Sequence, residues 1–201
     1  MHLRFSKDLK ALLEKLAAQP LTIADILKET SERGFCLVIG LLVMPFLFPM
    51  PPGFTTILGS ACLLLAAQMA IGRKVPWLPQ RVARFQFPQP FVAQLLVNLE
   101  KLTKILEKVA KPRWLSIAES RHVWQLNGIC ITWLTLLLMA PVPFTNPVPT
   151  AGILLLSIAT LEADGLLMFV GYGLVGLNTA LFGSVAYFLW RSPEMLQNLF
   201  S

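Results

Sequence analysis

The chain has 201 residues, of which 55% are hydrophobic and 14% charged, and its mean hydropathy is +0.64. A soluble domain is usually about a quarter charged, so the composition disfavours a soluble enzyme, and it excludes disorder, which needs low hydrophobicity with high charge. Seventeen Lys and Arg against eleven Asp and Glu leave a formal +6, and fifteen prolines with twelve glycines exclude a plain coiled coil.

Residues 1–33 hold six bases (Arg4, Lys7, Lys10, Lys15, Lys28, Arg33) and five acids, with no apolar stretch of the kind a secretory signal requires. They read as two short amphipathic cytoplasmic helices divided at Pro20. Thr22 and Asp25 have the spacing of a capping box that starts the second helix at Ile23.

Three long gaps between charges follow: Phe35 to Gly72, Val123 to Leu161, and Gly165 to Trp190. A bilayer core about 30 Å thick takes about 20 apolar residues per spanning helix. The gaps therefore supply about five membrane-crossing or re-entrant segments, and they lack the regular polar interleaving of a soluble core. The first, residues 34–72, is broken by Pro45, Pro49, Pro51, Pro52 and Gly53. Proline removes a helix hydrogen bond and clashes with the preceding turn, so the expectation is a helix–turn–helix hairpin. Residues 122–164 repeat the layout. Sliding by 96 positions aligns Pro45 with Pro141, Pro51 with Pro147 and Ile57 with Ile153. Pro141, Pro143, Pro147 and Pro149 are expected to make the turn of this second, repeat-related hairpin. Arms of about 13 to 19 residues are marginal for a crossing, leaving two geometries: hairpins that span, or hairpins that dip in and return. In the re-entrant case, Pro51 and Asn146 at the turns mark a functional centre, because irregular backbone at membrane depth needs protein or a water-filled cavity around it.

Residues 73–121 carry ten bases, including Arg73, against three acids. Basic loops stay cytoplasmic, which places this connector and the N-terminus on the same side. Val92, Leu95, Leu96, Leu99, Leu102, Leu106 and Val109 form one helical stripe with lysines outside it. That pattern suits a helix in the interface on anionic lipid, or equally one packed on protein. Nucleic acid is not an expected partner. Residues 165–201 contain the last membrane helix and a tail. Gly176, Ala180 and Ser184 recur every four residues along it, the spacing that lets helices approach closely; the stripe serves either a contact within the chain or a homodimer. Trp77, Trp114, Trp124, Tyr187 and Trp190 near segment ends fit an interfacial aromatic belt.

Chemistry is sparse. The sequence has no nucleophile, P-loop, HExxH or dinucleotide motif, and of two histidines only His122 is a plausible catalyst, though a surface role suits it better. Cys36, Cys62 and Cys130 lie in apolar runs and read as small fillers, so no disulfide, metal or cofactor is expected. Glu162 and Asp164 are the only acids between the second run and the third. Acids within a membrane are costly and point to function. Two apart on a helix they diverge, but a break at Gly165 lets them converge on a cation or a proton, or pair with Arg33 or Arg73. The plainer reading, favoured by topology, joins two helices at the cytoplasmic surface.

Arg33-Gly34-Phe35, the cluster from Pro45 to Gly53, Gly72-Arg73 with Pro76-Trp77-Leu78-Pro79, the second proline cluster and Glu162-Ala163-Asp164-Gly165 together resemble the bacterial ExoD family, from about Glu32 to Trp190. The resemblance implies an inner-membrane protein of exopolysaccharide production and supplies no reaction or catalytic residues. The expectation is an all-α polytopic helical membrane protein: two proline-broken hairpins, a basic amphipathic connector and a C-terminal membrane helix. Its expected role is a non-enzymatic component of exopolysaccharide synthesis or export, with membrane lipids, that machinery and a second copy as partners. A small transporter or lipid scramblase built from re-entrant hairpins is the alternative.

Overall fold

A computed structural model describes residues 34–47, 54–73, 76–77, 79–80, 113–118, 120–140 and 145–191. The expected N-terminal helices with Arg33, the turn containing Pro51 and the amphipathic stripe of the connector lie outside them. Among the described residues every regular element is helical.

Helix α1 (Gly34–Val43) runs into a 3₁₀ turn at Met44–Leu47. Pro45 has no N–H for the next α-type bond, which accounts for the tightened turn. Helix α2 (Phe54–Ala70) begins beyond the proline cluster and closes on Gly72. There Gly72 N–H donates to Met69 O at 2.9 Å and Arg73 N–H to Gln68 O at 3.0 Å, with Gly72 at φ 84°. This paired closure requires a left-handed residue, a conformation that glycine takes without strain.

Helix α3 is one turn (Leu115–Ala118). Helix α4 (Arg121–Met139) starts where the Ser120 hydroxyl accepts Val123 N–H, and stops at an extended Ala140, the conformation favoured before Pro141. Helix α5 (Pro147–Glu162) and helix α6 (Gly165–Arg191) follow, separated by two residues.

The hairpins interlock. α1 packs on α2 and α4 on α5, while α2 also lies along α4 and α1 along α5; α6 covers α5 and α4. α5 is therefore central. α2 and α4 meet at Gly128, where a Cβ would sit 2.4 Å from Ala70 N. No side chain fits there.

Two sequence expectations are corrected. Pro147 and Pro149 do not form the second turn: both lie in the first turn of α5. The first N–H groups of a helix have no internal partner, so proline costs nothing there and its fixed φ suits the start. The chain also breaks before Gly165. Ala163 takes the left-handed conformation (φ 53°, ψ 42°) and closes α5, whereas Gly165 is the first residue of α6. Arg113 O and the Trp114 side chain press on Gly165, within 3.2 and 3.1 Å of where its Cβ would be, so glycine there serves close packing.

The apolar runs divide into two kinds. Phe35 to Phe46 are buried throughout, as suits a helix apolar on every side. By contrast, Leu126, Ile129, Trp133 and Leu136 form an exposed row on α4, and Phe169, Val170, Leu177 and Phe188 are exposed on α6. Among the described residues, only α4 and the Gly165–Phe188 stretch of α6 are long and apolar enough to cross a membrane. At 1.5 Å per residue the ten residues of α1 reach about 15 Å, half a bilayer core.

Candidate functional site

Polar side chains inside this apolar bundle gather on the seam between α4, α5 and α6. Tyr172 Oη donates to Asn127 Oδ1 at 2.7 Å, and Asn127 Nδ2 donates to Thr160 Oγ1 at 2.9 Å. Thr160 passes its own proton back to Leu156 O at 2.6 Å. The chain of donors runs one way, leaves no break, and ties three helices together. Asn127 is fully buried. A buried amide without partners costs several kcal/mol in an apolar medium, so this residue is positioned by the whole arrangement.

Farther along α4, Thr135 donates to Ile131 O at 2.7 Å, and its oxygen faces Cys62 Sγ at 3.4 Å. With the hydroxyl proton engaged, the thiol is the donor. On the outer side Trp133 Nε1 donates to Thr179 Oγ1 at 2.9 Å. Two fully buried groups depart from this pattern: Ser157 Oγ and Asn178 Oδ1 have no hydrogen-bond partner among the described residues, although Asn178 Nδ2 reaches Leu174 O at 2.8 Å.

One end of the seam is the α5–α6 corner. Asp164 is 1% exposed, and its Oδ1 accepts Leu166 N–H and Leu167 N–H, each at 3.1 Å. It is the N-cap of α6, with its negative charge at the positive end of the helix dipole. Gly165 N–H donates to Arg113 O at 2.8 Å, which docks the end of the connector on the corner. Trp114, at φ 54°, sets its ring edge-on to Phe169, which in turn meets Tyr172 edge-on. Glu162 lies half-buried in the last turn of α5. Both acids also interact with other parts of the chain.

The remaining predicted residues are scattered. Arg73 is exposed just beyond α2. Asn146 precedes α5 without a side-chain cap bond, and its carbonyl accepts the Thr150 hydroxyl at 2.7 Å. Gly176, Ala180 and Ser184 all lie on the exposed side of α6, and nothing comes within 4 Å of a Cβ at Gly176. Close helix approaches occur at Gly128 and Gly171, against Ala70 and Leu156. Sequence reasoning passed over Asn127, Thr160, Tyr172, Ser157 and Asn178. Their signal was present: they are neutral polar residues inside charge-free runs, which a tally of formal charges ignores.

The profile of the family described as "Exopolysaccharide synthesis, ExoD" matches residues 5–184. The chain is 29% identical over 199 residues to Protein ExoD of Rhizobium meliloti (strain 1021), covering 97% of this chain and 82% of that protein. It is 30% identical over 190 residues to an uncharacterized protein of Synechocystis sp., covering 92% of this chain and 88% of the other. No solved structure matches significantly.

Proposed function

Because this chain belongs to the ExoD family of exopolysaccharide synthesis, we propose that it is a non-enzymatic, multi-pass component of the bacterial inner membrane that supports polysaccharide synthesis or export. The observation that carries this reading is the pair of exposed apolar rows on α4 and α6, set outside an interior polar seam. In water such rows would be a large liability, whereas lipid or a membrane partner accepts them. The basic connector and the N-terminus lie on the cytoplasmic side in this reading. The pairing of α1 with α5 and α2 with α4 supports a duplicated hairpin, since exchanging the two copies maps one pair onto the other. The outward stripe of Gly176, Ala180 and Ser184 is then where a second copy docks.

Two experiments test this. Alkaline carbonate extraction should leave the chain in the membrane pellet, and release into the supernatant would remove the membrane role. Deletion of the gene should lower or alter secreted polysaccharide, with restoration by the intact gene; unchanged output and composition would overturn the role in synthesis.

A second reading, a transporter or scramblase, draws on the unpartnered Ser157 Oγ and Asn178 Oδ1, because polar groups left open in an apolar interior suit a path for polar cargo. Reconstituted vesicles separate the two: lipid flip-flop or solute flux that Asn178→Leu abolishes favours this reading, and inert vesicles favour the first.

A further inference from the structure

We propose that the end of the bundle formed by Gly72, Arg73, Arg121 and Gln125 is a binding site for the phosphate of an anionic phospholipid. This rests on the membrane reading above and gives the lipid contact a definite place.

The site is built rather than incidental. The backbone at the end of α2 is fixed by three bonds, from Ile71, Gly72 and Arg73 N–H to Ala67, Met69 and Gln68 O. The Gln68 side chain then clamps Trp77 from both sides: Trp77 N–H donates to Oε1 at 2.9 Å, and Nε2 donates to Trp77 O at 2.6 Å. Over the left-handed turn at Gly72, the space a side chain would fill is taken by donors from α4. A Cβ at Gly72 would lie 3.0 Å from Gln125 Nε2 and 3.7 Å from Arg121 Nη2. An amide and a guanidinium therefore converge on the residue that precedes Arg73.

Arg73, Arg121 and His122 are exposed, and no acid lies in the first turn of α4. Arg121 and His122 occupy the first turn of α4, which is the positive end of its dipole, where cations are unfavourable and an anion is welcome. Guanidinium forks suit phosphate oxygens in bidentate fashion.

Depth selects a lipid as the source of that phosphate. The exposed apolar row of α4 begins at Leu126, five residues and so about 7.5 Å from Arg121. Trp77 is 58% exposed on the clamped segment, an amphipathic ring at the level where indoles settle in a bilayer. A phosphate held between Arg73 and Arg121 thus sits at headgroup depth with its acyl chains along the apolar row.

The test uses the full chain purified in detergent, with phosphatidylglycerol and phosphatidylcholine as probes and native mass spectrometry as the readout. Both probes carry the phosphate, but the choline cation of phosphatidylcholine opposes the arginines, so the intact chain should prefer phosphatidylglycerol by about tenfold or more. R73Q/R121Q should lose that preference, whereas R191Q, which removes a charge at the far end of α6, should keep it. Q125L, with both arginines intact, should weaken the preference by a smaller factor. Equal binding of the two lipids by the intact chain, or an undiminished preference in R73Q/R121Q, would overturn the site. Displacement of phosphatidylglycerol by millimolar inorganic phosphate would overturn the lipid source and point to a soluble phosphate. Failure of the parent reading looks different: the intact chain is then found in the soluble fraction of cells, whatever its arginines bind.

Discussion

Replacing Asn127 with leucine tests whether the polar seam holds the bundle together. Leucine has the same branched outline but is bulkier, so the change removes two hydrogen bonds, to Tyr172 and Thr160, and opens no cavity. Hydrogen bonds between membrane helices are worth about 0.6 kcal/mol on average and up to about 1.7, so losing both costs about 1–3 kcal/mol. Thr160 keeps its bond to Leu156 O, and the half-buried Tyr172 hydroxyl can turn outward, which holds the loss toward the lower half of that range. Tyr172→Phe removes only the first bond and should cost about 1 kcal/mol or less. If the two residues act through each other, N127L/Y172F costs less than the sum of the single changes, by about 0.6–1.7 kcal/mol. Unfolding of the detergent-solubilised chain by added dodecyl sulfate, followed by helical circular dichroism, measures all four corners of the cycle. A coupling indistinguishable from zero, or an Asn127→Leu chain more stable than the original, would refute a stabilising seam.

Three further substitutions probe other parts of the fold. Gly128→Val should cost about 3 kcal/mol or more in the same unfolding assay, because its Cβ would lie 2.4 Å from the backbone of α2, while Gly176→Ala, with nothing within 4 Å, should be neutral or slightly stabilising. Asp164→Ala should cost about 1–2 kcal/mol by uncapping α6, whereas Asp164→Asn should retain most of the stability and of the polysaccharide output. An asparagine variant that is abundant in the membrane yet inactive would return the Asp164 charge to a functional role. Gln68→Leu removes both bonds to the Trp77 backbone and should raise the rate of limited proteolysis between Ile71 and Trp77; an unchanged rate would show that Trp77 is held by other means.

The helical class was legible in the sequence, and the charge-free runs Val123 to Leu161 and Gly165 to Trp190 lie along α4 with α5 (Arg121–Met139 and Pro147–Glu162) and α6 (Gly165–Arg191). Hydropathy alone did not distinguish core-facing from exposed surface, since leucine occurs in both. Thus Phe35–Phe46 and the α4 row from Leu126 to Leu136 are alike in composition, yet one is core and the other is exposed. The position of the break before α6 was hidden for a different reason. A left-handed turn favours glycine, and placing one at Ala163 costs about 1–2 kcal/mol. The available glycine, Gly165, is needed where Arg113 and Trp114 press on α6, so tertiary packing moves the turn two residues earlier. Counting formal charges also drew attention to Glu162 and Asp164 and away from the neutral seam.

The neutral seam limits what chemistry the interior can support. An acid that served as a cation ligand or proton carrier would need an oxygen free to exchange partners. One oxygen of Asp164 instead receives two backbone N–H groups of α6 and stabilises the start of a 27-residue helix. Any cation at that oxygen would compete with the cap and with the helix dipole behind it. The seam carries no formal charge, and each of its donor atoms, Tyr172 Oη, Asn127 Nδ2 and Thr160 Oγ1, already has an acceptor. It can fix the relative rotation of α4, α5 and α6 at little electrostatic cost. Rigid packing of that kind suits a scaffold for other membrane components better than an acid-driven catalyst. The two groups unpartnered among the described residues, Ser157 Oγ and Asn178 Oδ1, separate a scaffold from a path for polar cargo. Ser157→Ala removes a hydroxyl with no partner among the described residues, and Asn178→Leu removes the unpartnered Oδ1 together with the Nδ2 bond to Leu174 O. A scaffold should tolerate both or gain stability, whereas a path for polar cargo should lose its function with stability intact.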